Sequence, residues 1–146
     1  MDRSQLLKMW DESWGTATWV APWEKAVSGL TAAQANWKPA AGRHSIWQNV
    51  NHVCIWREFS LTKIDGRPGP KREEMDALNF AEPSAPTEAE WANARERLKR
   101  THDDFHAVIA GPAKDLERAY SHLPHDAYHL GQIMLLRALQ GLPPIE

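Results

Sequence analysis

Cysteine is almost absent from this chain: Cys54 is the only one among 146 residues, which excludes an intramolecular disulfide and a cysteine-rich zinc knuckle. Long apolar runs are missing as well. No stretch reaches the roughly 20 residues that a membrane-spanning helix needs, and Met1 to Lys8 lacks the continuous apolar core of a secretory signal. A cytoplasmic protein with no membrane partner is expected. Basic excess is also missing, since the net charge is −2 and the pI about 6.4. The one basic cluster, Arg95 to Arg100, is broken by Glu96 and Leu98 and reads as a solvated helix face, so no nucleic-acid partner is expected. Phenylalanine and tyrosine are scarce, at 3 and 2, whereas tryptophan is abundant at 8. That balance supplies large rigid apolar surfaces for a core or a pocket wall, each with one N–H to satisfy.

The length suits one domain, residues 1–146, with a core large enough to need no covalent staple. Leu6, Leu7, Trp10 and Trp14 recur at helical spacing over Ser4 to Trp14, and Gly15 interrupts them. Pro22 opens a further helical piece that Gly29 closes. Capping-box spacing (a hydroxyl residue three before Glu or Gln) recurs at Thr31-Gln34, Ser45-Gln48 and Thr87-Glu90. The second box starts a helix running to about Asp65, ended by Gly66; the third starts one ending before Gly111-Pro112. Gly66 to Pro86 carries glycine, proline and charge without sustained periodicity and reads as a long crossover loop. The last helix starts near Pro124 or somewhat earlier, carries Leu130, Ile133, Leu136 and Leu139 on its apolar side, and stops at Gly141. No alternating strand pattern occurs. The expectation is an all-α four-helix bundle with a long crossover between its second and third main helices.

The chemistry is concentrated in His125-Asp126-Ala127-Tyr128-His129. Two histidines four apart on a helix share a face, with Cβ atoms roughly 5–6 Å apart, close enough to hold one metal ion. His52, in a strongly helical and largely apolar segment, needs a polar partner and is the candidate third ligand. Three imidazoles leave a coordination position free, which separates a catalytic or ligand-binding site from a closed structural one. His102 and His106 have the same spacing but charged neighbours, and read as surface residues; His122 has no distinguishing context. Trp56 shares the face of His52 and is either core or pocket wall. Tyr128 and Gln132, within a turn of His129, are candidate polar contacts to a ligand, and His44 could face the same cavity from the helix mouth. Asp126 reads chiefly as a helix-start carboxylate, with a second reading as an orienting partner for a neighbouring group. Cys54, about 200° around the helix from His52, points away and reads as a buried apolar thiol. Gly131 inside a helix suggests close approach of a neighbouring element.

Gly42-Arg43-His44-Ser45-Ile46-Trp47, then Asn51-His52 and Trp56, then His125-Asp126-Ala127-Tyr128-His129-Leu130-Gly131-Gln132-Ile133 resemble the DinB-like superfamily, four-helix-bundle proteins related to bacillithiol S-transferases and thiol-dependent isomerases. The resemblance covers nearly the whole chain. It implies that His52, His125 and His129 bind a divalent metal, zinc or nickel foremost, with iron or manganese as alternatives. It also implies a small-molecule substrate with a low-molecular-weight thiol as co-substrate, and a homodimer, which the tryptophans Trp14, Trp19 and Trp23 would favour if one core cannot bury them all. One departure is the stretch Gly111 to Ser121, which is shorter than in many members and implies a reduced substrate-facing loop.

A zinc-type ion on three imidazoles either lowers the pKa of bound water to about 7 or holds a thiol as thiolate. The leading functional expectation is therefore a metal-dependent enzyme of thiol S-transferase or hydrolase type. The alternative is a non-catalytic, metal-bearing small-ligand or stress-response protein. The H-E-x-x-H protease pattern is a poor match, because aspartate replaces its glutamate and the third ligand lies upstream.

Overall fold

A computed structural model describes residues 2–113 and 116–145. Its described residues form seven helices and no strand: α1 (Arg3–Gly15), α2 (Trp23–Val27), α3 (Ala32–Asn36), α4 (Ile46–Ile64), α5 (Arg72–Leu78), α6 (Glu88–Ala110) and α7 (Glu117–Leu139). None of the helices is long and apolar enough to cross a membrane.

The helix starts follow from local chemistry. Thr31 and Ser45 each accept from the N3 amide while the N3 glutamine reaches back to the cap, so both boxes close in full. At Thr87 only half the box forms: Thr87 accepts from the Glu90 amide, but the Glu90 carboxylate turns to the Ser84 hydroxyl and the Ala85 amide. Asp2 adds a box at the start of α1. Gly66, at φ 69, ends α4 in the left-handed region that glycine enters without strain. The Arg3 guanidinium donates to the carbonyls of Ile109, Gly111 and Ala113, closing the end of α6 and fastening the amino-terminal helix to it.

α4 is central, packing against α6 and α7, while α1 packs on α6 and the short α2, α3 and α5 fill the flanks. Its enclosure explains why it buries residues around most of its circumference, polar ones included. Trp23, Trp47 and Trp91 anchor the larger apolar cluster, with Val50, Val53, Leu98 and Ile133; Leu6, Trp10, Phe105 and Ile109 form a second. The indole N–H groups of Trp10 and Trp91 donate to the carbonyls of His102 and Leu30.

Several expectations change. The crossover from Gly66 to Pro86 is not all loop, because the seven residues of α5 sit within it and bury Met75; this amphipathic turn is too short to show as periodicity in sequence. α7 begins two turns before Pro124 and runs through it. Proline removes only the bond to the carbonyl of Tyr120, and both residues lie at the surface, where that carbonyl is not cut off from solvent. Gly131 has open space where a side chain would be, so no neighbouring element presses on it. Of the three tryptophans, Trp23 is buried, Trp14 is half-buried against the core, and only Trp19 is fully exposed. The expected short loop at Gly111 to Ser121 includes residues 114 and 115, which lie outside the described residues; from Glu117 onward it is helix.

Candidate metal centre

The Ser45 box fixes the register of α4, and with it a face carrying Asn49, His52 and Trp56 at successive turns. α7 opposes this face with His122, His125, Asp126, His129 and Gln132. The three imidazoles expected to meet do so. Ring centroids lie 4.4 Å apart for His52–His129, 4.7 Å for His125–His129 and 5.2 Å for His52–His125. One nitrogen from each lies within 4.8 Å of the other two. His52 and His129 are buried and His125 half-buried.

The surrounding acceptors fix the tautomers. His52 Nδ1 faces Asn79 Oδ1 at 2.6 Å, and the same oxygen accepts from Trp56 Nε1 at 3.3 Å, which fixes the Asn79 amide. His129 Nδ1 faces Asn49 Oδ1 at 2.9 Å and Gln132 Oε1 at 3.0 Å, while Asn49 Nδ2 donates to the Ser45 carbonyl. His125 Nδ1 faces Asp126 Oδ1 at 3.2 Å. Every Nδ1 therefore donates, and every Nε2 presents a lone pair. His52 Nε2 and His125 Nε2 stand 3.1 Å apart. Two lone pairs at that distance repel unless a cation lies between them. Burial and then the neighbouring His52 and His125 push His129 down to about 4. Burial also lowers His52, against the opposing bond to Asn79. The donor set fits a divalent metal ion: three imidazoles, each oriented from behind by an oxygen.

An open cleft of about 520 Å³ lies over these rings, lined by His52, Trp56, Asn79, Phe80, His125, Tyr128 and His129. Trp56 is thus both packing and pocket wall, and Tyr128 stands exposed at the rim. Phe80 stacks on His52 at 4.0 Å on one side and on His44 at 3.8 Å on the other. Gln48 and Asn51 donate from α4 to the carbonyls of Phe80 and Ala81, clasping this strap to the helix. His44 reaches the centre only through Phe80; with Gln132 and Arg43 it lines a neighbouring groove of about 420 Å³.

Other readings are revised. Asp126 is ten residues into α7 rather than at its start. It is buried against Arg57, whose Nη2 donates to its Oδ2 at 2.6 Å. Burial opposes its ionisation, but Arg57 and the bond to His125 hold it below the usual carboxylate range. His102 is not a surface residue: it is buried and stacked on Trp10 at 5.2 Å, whereas His106 is exposed and paired with Asp11. His122 is buried too, bonded to Ser60 and edge-on to His125. Within the basic cluster, Arg97 leaves the solvated face for a half-buried pair with Glu58. Cys54 is buried and its thiol is pushed up to about 12, so it remains protonated and inert. Asn49, Arg57, Asn79 and Phe80 were missed. Asn49, one turn before His52, was visible in the helical spacing; nothing in the sequence marks the other three.

Seven helices and no strand among the described residues, with a largely buried three-histidine cluster, define the class as a helical protein fitted for metal binding. The profile of the DinB superfamily matches residues 16–138, and the chain belongs to that superfamily. No curated protein and no solved structure matches it.

Proposed function

We propose that this protein is a metal-dependent enzyme of thiol S-transferase or hydrolase type acting on a small molecule, with one divalent ion, zinc or nickel foremost, on the Nε2 atoms of His52, His125 and His129. The observation that carries the reading is that one ring nitrogen from each of His52, His125 and His129 lies within 4.8 Å of the other two, with an oxygen behind each ring. When bound, such an ion lowers the pKa of a coordinated water to about 7 or holds a thiol as thiolate. The chain's own groups do the rest. Asn79, Asn49, Gln132 and Asp126 hold the rings, Trp56, Phe80 and Tyr128 offer aromatic walls to an apolar substrate, and the cleft above the rings opens to solvent. No carboxylate lines that cleft among the described residues. A water nucleophile thus lacks a carboxylate base, which favours transfer from a low-molecular-weight thiol.

The same lack of a carboxylate favours the second reading, a non-catalytic metal-bearing binder of small ligands. Turnover of thiol plus electrophile above that of a His52→Ala/His125→Ala/His129→Ala variant separates the two. The proposal further takes α1, α4, α6 and α7 as a four-helix bundle of DinB-like type forming one domain over residues 1–146, cytoplasmic and homodimeric. Exposed Tyr128, Leu135 and Leu139 on α7 support the dimer.

The test is metal content by plasma mass spectrometry after purification without a metal-binding tag. About one equivalent in the protein and none in the triple variant is expected. No uptake by the protein, even after reconstitution, overturns the metal reading.

A further inference from the structure

Resting on the metal reading above, we propose that Arg57 is a positioning residue for the metal centre, fixing the ligand His125 through the carboxylate of Asp126. Adjacent side chains on a helix diverge, so the 3.2 Å contact between His125 Nδ1 and Asp126 Oδ1 requires something outside α7 to hold the carboxylate. Arg57, on α4, supplies it. Its Nε and Nη2 both donate to Oδ2, at 3.1 and 2.6 Å, leaving Oδ1 to His125. The guanidinium is itself immobilised, lying 5.0 Å from the Trp10 ring and 5.5 Å from the Trp23 ring, with Nη1 donating to Thr101 Oγ1. Both members of the pair are buried, at 0 % exposure for Arg57 and 3 % for Asp126.

Stability alone does not account for such a pair, because its desolvation cost is one that apolar residues of the same volume avoid. The three histidines differ in a way that does account for it. His52 and His129 are buried and held by neutral amides, whereas the His125 side chain is 31 % exposed and is the one backed by a carboxylate. A carboxylate orients an imidazole more firmly and raises its basicity as a ligand. Arg57 balances that negative charge within the core. The cluster's geometry thereby depends on packing in α1 and α2, through Trp10 and Trp23.

The test uses the whole chain, with Co²⁺ as probe, and reads affinity by competition with a chromophoric chelator together with the visible absorption bands that report coordination. Arg57→Met is expected to weaken Co²⁺ binding about 10- to 100-fold and to alter the bands. In an Asp126→Asn background, which removes the intermediary, the same substitution is expected to add little. A folded Arg57→Met protein with wild-type affinity and spectrum overturns the proposal, as does an equal loss in both backgrounds. If Arg57→Met fails to fold, Arg57→Lys keeps the charge but replaces two donors from a rigid plane with one flexible ammonium. The same weakening and spectral change are then expected, and unchanged values overturn the proposal. No Co²⁺ uptake by the wild-type chain removes the metal reading itself, and this proposal with it; uptake that no variant disturbs removes only the role of Arg57.

Discussion

At the scale of single residues, the centre depends on which nitrogen of each imidazole carries its proton. A histidine without a fixed acceptor behind it populates both tautomers and rotates, so only part of its population presents the ligating nitrogen. Asn79 performs this service for His52 and takes a second bond from Trp56. Asn79→Leu keeps the size and removes the acceptor. We expect metal affinity to fall about 10- to 100-fold, measured by chelator competition, with the helical far-ultraviolet spectrum unchanged. Cys54→Ala is the counterpart: its thiol is buried among apolar side chains and held protonated. Metal content should therefore be the same as in the parent, and a loss would show that the thiol is a ligand after all.

At the scale of elements, the crossover between α4 and α6 departs furthest from its sequence. Phe80 sits at φ 53, in the left-handed region, where a bulky residue is strained by roughly 1–2 kcal/mol. The strain is held by the clasp from Gln48 and Asn51 and by the stacking of its ring between His44 and His52. Glycine normally destabilises relative to alanine; here the order should reverse. Phe80→Gly is expected to be more stable than Phe80→Ala by about 1 kcal/mol in urea denaturation, and the usual order would show that the strap relaxes. The contrast with α4 shows what a sequence discloses. Ser45-Gln48 marks a helix start because both partners lie within one turn, and His125/His129 mark a site because one helix sets their spacing. Arg57 with Asp126, and Asn79 with His52, are pairings across 69 and 27 residues. They follow from how helices dock, which no local pattern encodes. Pro124 is the opposite case: its local cost is visible and allows a helix start there or somewhat earlier, but that Tyr120 is exposed and can bear the lost bond is not.

At the scale of the whole molecule, the core contains imidazoles that burial makes harder to charge than in the unfolded chain. Burial, then the nearby Arg57 guanidinium, pushes His102 from its ordinary 6.5 down to about 4. Burial likewise takes His122 to about 4, against the attraction of Asp126. Above pH 6.5 both are neutral in folded and unfolded chains, and pH has no leverage through them. Below it the unfolded chain binds protons that the folded one refuses, so stability falls as pH drops from 6.5 toward 4. A shift of this size is worth about 3 kcal/mol per histidine once fully expressed, and a domain of this kind has only about 5–15 kcal/mol in total. Acid unfolding is therefore expected to set in within that window rather than near the carboxylate range. His102 offers the cleanest separation of cause, because its ring already stacks on Trp10 with planes 9° apart and its Nδ1 has no partner. His102→Phe keeps a flat apolar ring in the stack and removes the proton acceptor. Stability at pH 7 should change little, while the pH midpoint of unfolding, followed by tryptophan fluorescence, should move lower. An unmoved midpoint would mean that His102 contributes nothing to the acid sensitivity, leaving His122 and His129 to account for it.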